Sequence, residues 1–278
     1  MIDQIYTIQA KINLSIAVVS DLHGKPYEKV VKSLRNRHPD IIAIPGDFIL
    51  GKRPKDNGVS LDISVIKYQD NVLLFLKTCA TIAPTYISLG NHEAFLDEED
   101  IELIKSTEVV LLDNEFYCVH VRDNQVVIGG LSAGHVINYR KFKKKYLKDN
   151  GRTERYPTRV TRDMPKWFDV DDGWLDEFEK QDGYKILLSH HPEYWSIRKP
   201  KLCNRTIDLV LSGHAHGGQI RLFGKGIYAP GQRWFPKYTK GVYEGIYGSM
   251  VVSTGLSNTG EPIPRLFNPT EIVYVNLK

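Results

Sequence analysis

Five times along this chain a short apolar run stops abruptly at aspartate, asparagine or histidine. Residues 14–20 (LSIAVVS) run into Asp21 and His23, residues 40–45 (DIIAIP) into Asp47, and residues 85–89 into Asn91 and His92. Residues 185–189 then deliver His190 and His191, and residues 207–211 (IDLVL) lead to Gly213-His214-Ala215-His216. Runs this short, rich in β-branched residues and without polar alternation, read as strands buried on both faces, the habit of parallel sheets. Between the first two, residues 27–37 carry helical spacing at Val30, Val31 and Leu34 and stop before Pro39. The first 47 residues therefore read as a β-α-β unit, whose right-handed crossover puts Asp21 and Asp47 on one sheet edge. Open α/β folds place ligands at that edge.

Further along, residues 51–58 read as a polar loop and residues 60–80 as a long helix with Ile63, Ile66, Leu73, Leu74 and Leu76 apolar. Four acids, Asp97 to Asp100, open a short helix where negative charge suits the dipole. Residues 109–112, 116–121 and 125–129 read as successive antiparallel strands beside the first sheet, with a turn at Asp123-Asn124. A helix over 173–180 and strands over 250–253 and 271–277 complete the pattern. There is no repeat or linker, so a single domain over 1–278 is expected, with one basic insertion at about 140–166.

That insertion holds eleven Lys or Arg against three acids, a local net of +8 in a chain of net +4. It reads as a solvated face, with an anionic membrane surface or a phosphorylated partner as the sharper alternative. No stretch approaches the roughly 18 apolar residues of a membrane span, and the apolar residues of the N-terminal segment belong to the first strand rather than to a leader. A cytoplasmic or peripheral membrane location is expected. Cys79, Cys118 and Cys203 are odd in number and widely spaced, which reads as buried free thiols.

A lone strand-end Asp or His is usually a turn or capping residue. Five such ends on one sheet edge form a site instead. The set of aspartates, histidines and an asparagine, without cysteine, suits Mn, Fe, Zn or Mg.

The ordered series SDLHG, GD, GNHE, SHH and GHAH resembles the five motifs of the calcineurin-like metallophosphoesterases. The tail, GHAHGGQIRLFG then YAPG and STGLSNTGEPIPRLFNPTEI, is similar to a bacterial phosphodiesterase and UDP-sugar-lipid pyrophosphatase-like branch, whose members are often exported or membrane-anchored. The resemblance implies an α/β fold, a β-sandwich of mixed sheets flanked by helices, with metals at the C-terminal ends of strands. It implies two divalent ions, Mn and Fe favoured, one held by Asp21, His23 and His216 and the other by Asn91, His190 and His214, with Asp47 bridging. It further implies in-line attack on phosphorus by a metal-bridging hydroxide, with His92 as general acid. His190 is expected to be the ligand because it follows the strand directly, leaving His191 in support. Glu93 either orients His92 or caps its turn. Asp208 is either a supporting partner of a histidine or a solvent-facing strand residue.

The family's phosphoprotein phosphatases carry an arginine soon after the bridging aspartate. Here Gly46-Asp47-Phe48-Ile49-Leu50 has none, which favours phosphodiesters or pyrophosphates over phosphomonoesters. Expected substrates are phosphorylated small molecules or lipid-linked compounds. Two other readings stand beside this one: a non-catalytic metal-binding scaffold, and a nuclease that uses residues 140–166. Gly224-Lys225-Gly226 reads as a hairpin turn and His135 as a loop histidine, with contact to substrate as the alternative. Tyr156, Trp167, Trp195, Trp234 and Tyr238 read as core and turn packing, with an aromatic rim for a lipid or base as the alternative.

Overall fold

Alternate burial along the strands decides the architecture. In the computed structural model of the chain, residues 1–50, 55–56, 59–60, 66, 69–136, 140, 169–257 and 263–278 are described. In chain order they form β1 (Ile2–Ile8), β2 (Leu14–Val18), α1 (Glu28–Arg37), β3 (Ile41–Ile44), α2 (Asp70–Ala80), β4 (Thr85–Ser88), α3 (Glu98–Lys105) and β5 (Val110–Leu112). The hairpin β6 (Glu115–Val121) and β7 (Asn124–Leu131) follows, then α4 (Leu175–Lys180), β8 (Tyr184–Ser189) and β9 (Leu209–Ser212). Two small hairpins come next, β10 (Arg221–Leu222) with β11 (Lys225–Gly226) and β12 (Tyr228–Ala229) with β13 (Arg233–Trp234). The chain ends with β14 (Gly241–Glu244), β15 (Ser249–Val252) and β16 (Glu271–Leu277).

Two six-stranded sheets result, ordered β1-β16-β2-β3-β4-β5 and β14-β15-β9-β8-β7-β6. Strands β2, β3, β4 and β5 are mutually parallel, as are β7, β8, β9 and β15, while antiparallel neighbours flank each block. One face of each sheet meets the other across a core that includes Ile16, Val18, Ile41, Ile128, Ile186 and Leu211. The next residue along each strand points outward: Ala17, Ile42 and Ile87 pack under Val30 and Leu34 of α1 and Val72 and Leu76 of α2, and Leu187 and Val210 pack under Leu175 and Phe178 of α4. Because the side-chain period of a strand is two, strands apolar at every position need a cover on both faces. This is the expected mixed sandwich flanked by helices.

Several local expectations are corrected. The helix expected over 60–80 is shorter: Val59–Ser60 pairs with Lys55–Asp56, α2 begins at Asp70, and residues 61–65 and 67–68 lie outside the described residues. The Ile66 amide donates to Asp100 Oδ1 at 3.0 Å and Gln69 Oε1 accepts from the Leu50 amide at 2.8 Å, tertiary partners just before α2. Residues 110–112 are not antiparallel. They join the first sheet parallel to β4, because α3 carries the chain back over the sheet, and the β6–β7 hairpin belongs to the second sheet with its turn at Arg122-Asp123. Helix α3 has the expected acidic start, and Asp97 and Asp100 form a reciprocal capping box. The N-terminal segment makes a separate half-exposed edge strand, β1, parallel to β16. Of the three free thiols Cys79 is buried, but Cys118 is exposed on the edge strand β6 and Cys203 is only partly covered. Residues 141–166 of the basic insertion lie outside the described residues, as do Tyr156 and Trp167. No helix among the described residues is long and apolar enough to cross a membrane.

Candidate metal centre

The parallel blocks aim their C-terminal ends at a common edge, and hydrogen bonds draw the two sheets together there. The Gly213 amide donates to the His190 carbonyl at 3.0 Å within the second sheet, and the His214 amide donates to both carboxylate oxygens of Asp21 at 3.2 Å, from the second sheet to the first. His190 Nδ1 meets the Pro45 carbonyl at 3.0 Å, also between sheets. Such closeness needs glycine. A Cβ on Gly213 would lie 1.8 Å from Ser20 Oγ, and one on Gly46, at φ +103°, would lie 2.5 Å from the Gly90 nitrogen.

Five of the seven expected ligands stand in left-handed backbone: Asp21 (φ 54°), His23 (51°), Asp47 (53°), His214 (63°) and His216 (45°). Non-glycine residues rarely adopt this region, and each costs on the order of 1 kcal/mol or more, so the strain is sustained by the surrounding packing. It turns side chains at consecutive strand ends toward one another. Asp21, His23 and His216 bring ligand atoms within 4.8 Å of one another, and so do Asp47, His190 and His214. Asp47 also groups with His23 and His92. Its Oδ2 is 3.1 Å from His190 Nε2, 3.9 Å from His92 Nε2 and 4.0 Å from His23 Nε2. Asp47 thus belongs to the His190–His214 group and lies 4.0 Å from His23 of the other, and Asn91 follows β4 with a buried amide oxygen that has no hydrogen-bond partner.

Ring orientation follows a shared pattern. Nδ1 of His92, His190 and His216 each meets a backbone carbonyl, of Leu50 at 3.0 Å, Pro45 at 3.0 Å and Ser257 at 3.1 Å. That contact fixes the tautomer and leaves Nε2 facing inward. Both ring nitrogens of buried His23 lack a hydrogen-bond partner, and His190 Nε2 lies beside Asp47 without hydrogen-bond alignment. Buried polar atoms left unmade at this density are costly unless a ligand satisfies them. A set of imidazole nitrogens, carboxylates and one amide oxygen fits a pair of divalent cations.

Electrostatics agree. Burial drives His23 down to about 4, against the pull of Asp47, and burial with neighbouring imidazoles holds His214 and His191 well below the ordinary histidine value. These rings are neutral, as metal ligands must be. Burial also opposes charge on Asp47 and His190, but their mutual attraction wins. Asp47 lies well below the usual carboxylate range and His190 is raised to about 9. In the metal-free protein this pair holds a proton where a cation fits.

The supporting residues divide differently from expectation. Glu93 does not touch His92. Its Oε2 accepts from the amides of Asp47 and Gly90, both at 2.8 Å, and its Oε1 from the Ile49 amide at 3.2 Å, so it clamps the ends of β3 and β4 together. Burial and the Asp47 charge raise it to about 7. Asp208 lies at the opposite, N-terminal end of β9, where its carboxylate accepts the Lys185 amide at 2.7 Å; it supports no histidine. His191 is buried with Glu193 and His214 in a further close group, its Nδ1 3.5 Å from Glu193 Oε2.

Glu193, Arg265 and Asn268 escape sequence reasoning, which also misplaces His135. His135 is largely buried rather than a loop histidine, and its ring stacks on His191 at 5.3 Å between centroids. Arg265 donates to the Ser257 carbonyl at 2.8 Å, the same oxygen that meets His216 Nδ1. Asn268 donates to the His216 carbonyl at 2.7 Å. Only the Glu after SHHP carried a local signal, a carboxylate three residues past a ligand candidate. Trp195 and Tyr238 belong to the core, while Trp234 is exposed.

A family model described as calcineurin-like phosphoesterase matches residues 14–218, from the first residue of β2 through the GHAHGG turn. An uncharacterized metallophosphoesterase of Helicobacter pylori (strain J99) is 28% identical over 98% of this chain, and the chain spans 62% of that relative's length. One from Aquifex aeolicus (strain VF5) is 24% identical over 98% of this chain and 90% of its own. Among solved structures, the sulfate thiohydrolase SoxB of Thermus thermophilus in complex with glycerol superposes with a TM-score of 0.52 over 89% of this chain and 52% of its own, at 12% identity, a likeness of fold alone.

Proposed function

Because the chain belongs to the calcineurin-like phosphoesterase family, we propose that it is a binuclear metal-dependent hydrolase of phosphoesters, phosphodiesters or pyrophosphates in preference to phosphomonoesters. The observation that carries the reading is the pair of buried ligand groups, Asp21-His23-His216 and Asp47-His190-His214, with His23 of the first 4.0 Å from Asp47 of the second. Asp21, His23 and His216 would hold one ion and Asn91, His190 and His214 the other, with Asp47 common to both. Two divalent ions so held supply a Lewis acid for the phosphoryl oxygens and make water nucleophilic at neutral pH.

The chain's own residues supply the rest. His92 is about a quarter exposed where the other imidazoles are closed off. Leu50 holds its Nδ1, so Nε2 is the atom that delivers a proton to the leaving oxygen. The His92 amide donates to Asp47 Oδ1 at 2.9 Å, which ties the acid to the shared carboxylate and keeps the two in register. Glu93 fixes the backbone on which both stand. After Asp47 come Phe48 and Ile49, both buried, so the described residues 48–50 that directly follow it bring no cation for the second charge of a phosphomonoester. That supports the diester and pyrophosphate preference.

The test is hydrolysis of bis(4-nitrophenyl) phosphate, 4-nitrophenyl phosphate and a UDP-sugar pyrophosphate by the purified chain after chelation and after return of Mn²⁺. Chelation abolishes turnover and Mn²⁺ restores it, with the diester or pyrophosphate favoured. Turnover that survives thorough chelation refutes the metal-dependent reading, and a monoester preference refutes the substrate class.

A further inference from the structure

Three phenylalanines stand almost wholly in solvent, and each is held in left-handed backbone. Phe223 is 104% exposed at φ 49°, Phe235 is 81% exposed at φ 55°, and Phe267 is 81% exposed at φ 54°. A bulky aromatic at positive φ is an outlier, and three of them exposed together lose both backbone energy and hydration energy. The two-residue turn between β10 and β11 requires positive φ at Phe223, but neither local folding nor core packing accounts for large aromatic side chains left in solvent at all three positions.

The three residues lie in neighbouring segments. Phe223 occupies the β10–β11 turn, and Phe235 follows β13 with its amide donating to the Ile227 carbonyl at 2.8 Å. Both line one open groove of about 820 Å³ with Lys225 and Lys237. Phe267 stands beside them, because the Arg221 amide donates to the Leu266 carbonyl at 3.0 Å. Trp234, Leu222 and Leu266 add further exposed apolar surface.

The charge around these tips has one sign. Between Asp208 and Glu244 the chain carries five Lys or Arg and no Asp or Glu. Lys225, Arg233 and Lys237 are exposed, and no ion pair among the described residues engages them. Projecting aromatic tips ringed by unpaired cations match the two layers of an anionic bilayer, with apolar chains below and phosphate headgroups above.

We propose that this face, built from the two small hairpins and the Leu266–Phe267 segment, docks the protein on an anionic lipid bilayer. It is distinct from the basic residues 140–166. It is also tied to the candidate metal centre: Asn268, next to Phe267, donates to the His216 carbonyl, and Arg221 donates to the Gly217 carbonyl at 2.8 Å. Docking would therefore hold the turn that carries His214 and His216 near the headgroups. The inference does not depend on the hydrolytic reading, since its readout is binding.

The experiment is flotation of the full chain with vesicles of equal phosphatidylglycerol and phosphatidylcholine and with phosphatidylcholine alone. The protein floats with the anionic vesicles, less so at high salt. The combined variant Phe223→Asn, Phe235→Asn, Phe267→Asn lowers the partition coefficient at least about tenfold. Asparagine suits left-handed backbone, so the same variant melts no lower than the parent, which separates lost docking from lost folding. The single variant Phe223→Asn, at a fully exposed hairpin tip, repeats the measurement should the triple variant misfold. Absence of flotation with anionic vesicles, or a triple variant that floats like the parent, overturns the proposal. So does sedimentation equilibrium showing a dimer that the triple variant abolishes, since the face would then belong to a second copy of the chain.

Discussion

Replacing Glu93 tests whether its carboxylate organises backbone or serves His92. The side chain is fully buried and accepts three amides, two at 2.8 Å through Oε2 and one at 3.2 Å through Oε1. Glu93→Ala leaves three buried donors unmade, each at about 1–3 kcal/mol, and a water entering the vacated space recovers part of that. A loss of about 4 kcal/mol is expected, a large share of the roughly 5–15 kcal/mol that holds a domain folded. In Glu93→Gln the amide oxygen can keep the two shorter bonds while the NH₂ faces the Ile49 donor, so about 1–2 kcal/mol is lost. Urea unfolding of the chelated protein, with unchanged m-values, reads this graded series directly. Because β3 and β4 separate, metal content falls in the same order. Two variants each within 1 kcal/mol of the parent, but with turnover more than tenfold lower, would refute the clamp and return Glu93 to His92.

His92→Ala is expected to cut turnover roughly a hundredfold with metal content intact by elemental analysis; loss of metal would make His92 a ligand instead. Asp47→Ala should lower occupancy at both sites, and two normally held ions would remove the shared role. Gly213→Ala forces a Cβ to within 1.8 Å of Ser20 Oγ and 2.5 Å of Asp21 Oδ2, so a loss of about 2–3 kcal/mol and a Tm lower by about 5 °C are expected, and an unchanged Tm would show that the sheets can part there without cost. Two buried rings should also work against the metal-free protein in acid. His23 and His135 sit near 4 in the folded chain through burial, against an ordinary 6.5, so the unfolded chain takes up protons first and their contribution to stability falls as pH drops from 6.5 to 4, by on the order of 3 kcal/mol for each. His190, raised to about 9, acts in the opposite sense: its contribution is full below 6.5 and is lost as pH rises through 9. Glu93 and Glu193, raised to about 7 chiefly by burial, act against the two histidines over the same range, so the check is made on the rings themselves: imidazolium nitrogen shifts for His23 or His135 at about pH 5.5 in the chelated protein would contradict the neutral buried rings.

Much of the fold is local in origin and was legible. An apolar run with β-branched residues buries both faces wherever it sits, so β2, β3, β4, β8 and β9 and the polar residues at their ends follow from pattern alone. The acidic start of α3 and a hairpin near Gly224 are likewise local, although the turn falls at Phe223-Gly224 rather than Gly224-Lys225-Gly226. Where partners are distant, the pattern was silent or misleading. The helix expected from residue 60 starts only at Asp70, before which Ile66 and Gln69 bond to Asp100 and Leu50 instead, and nothing in residues 109–129 tells which strand stays in the first sheet and which opens the second.

By itself, then, the order of residues determined which side chains end the strands and hence which could meet at one edge. Only the tertiary structure decided that two sheets supply that edge, that Asp21 receives the His214 amide 193 residues away, and that His190 is oriented by Pro45 145 residues away. The same holds for Glu93 as a clamp, for Asp208 at the far end of its strand and for the exposed phenylalanines. The physical reason is range. Strand and helix periods record which face of its own element a residue occupies, whereas a donor's partner and a side chain's exposure depend on what another part of the chain brings to that face.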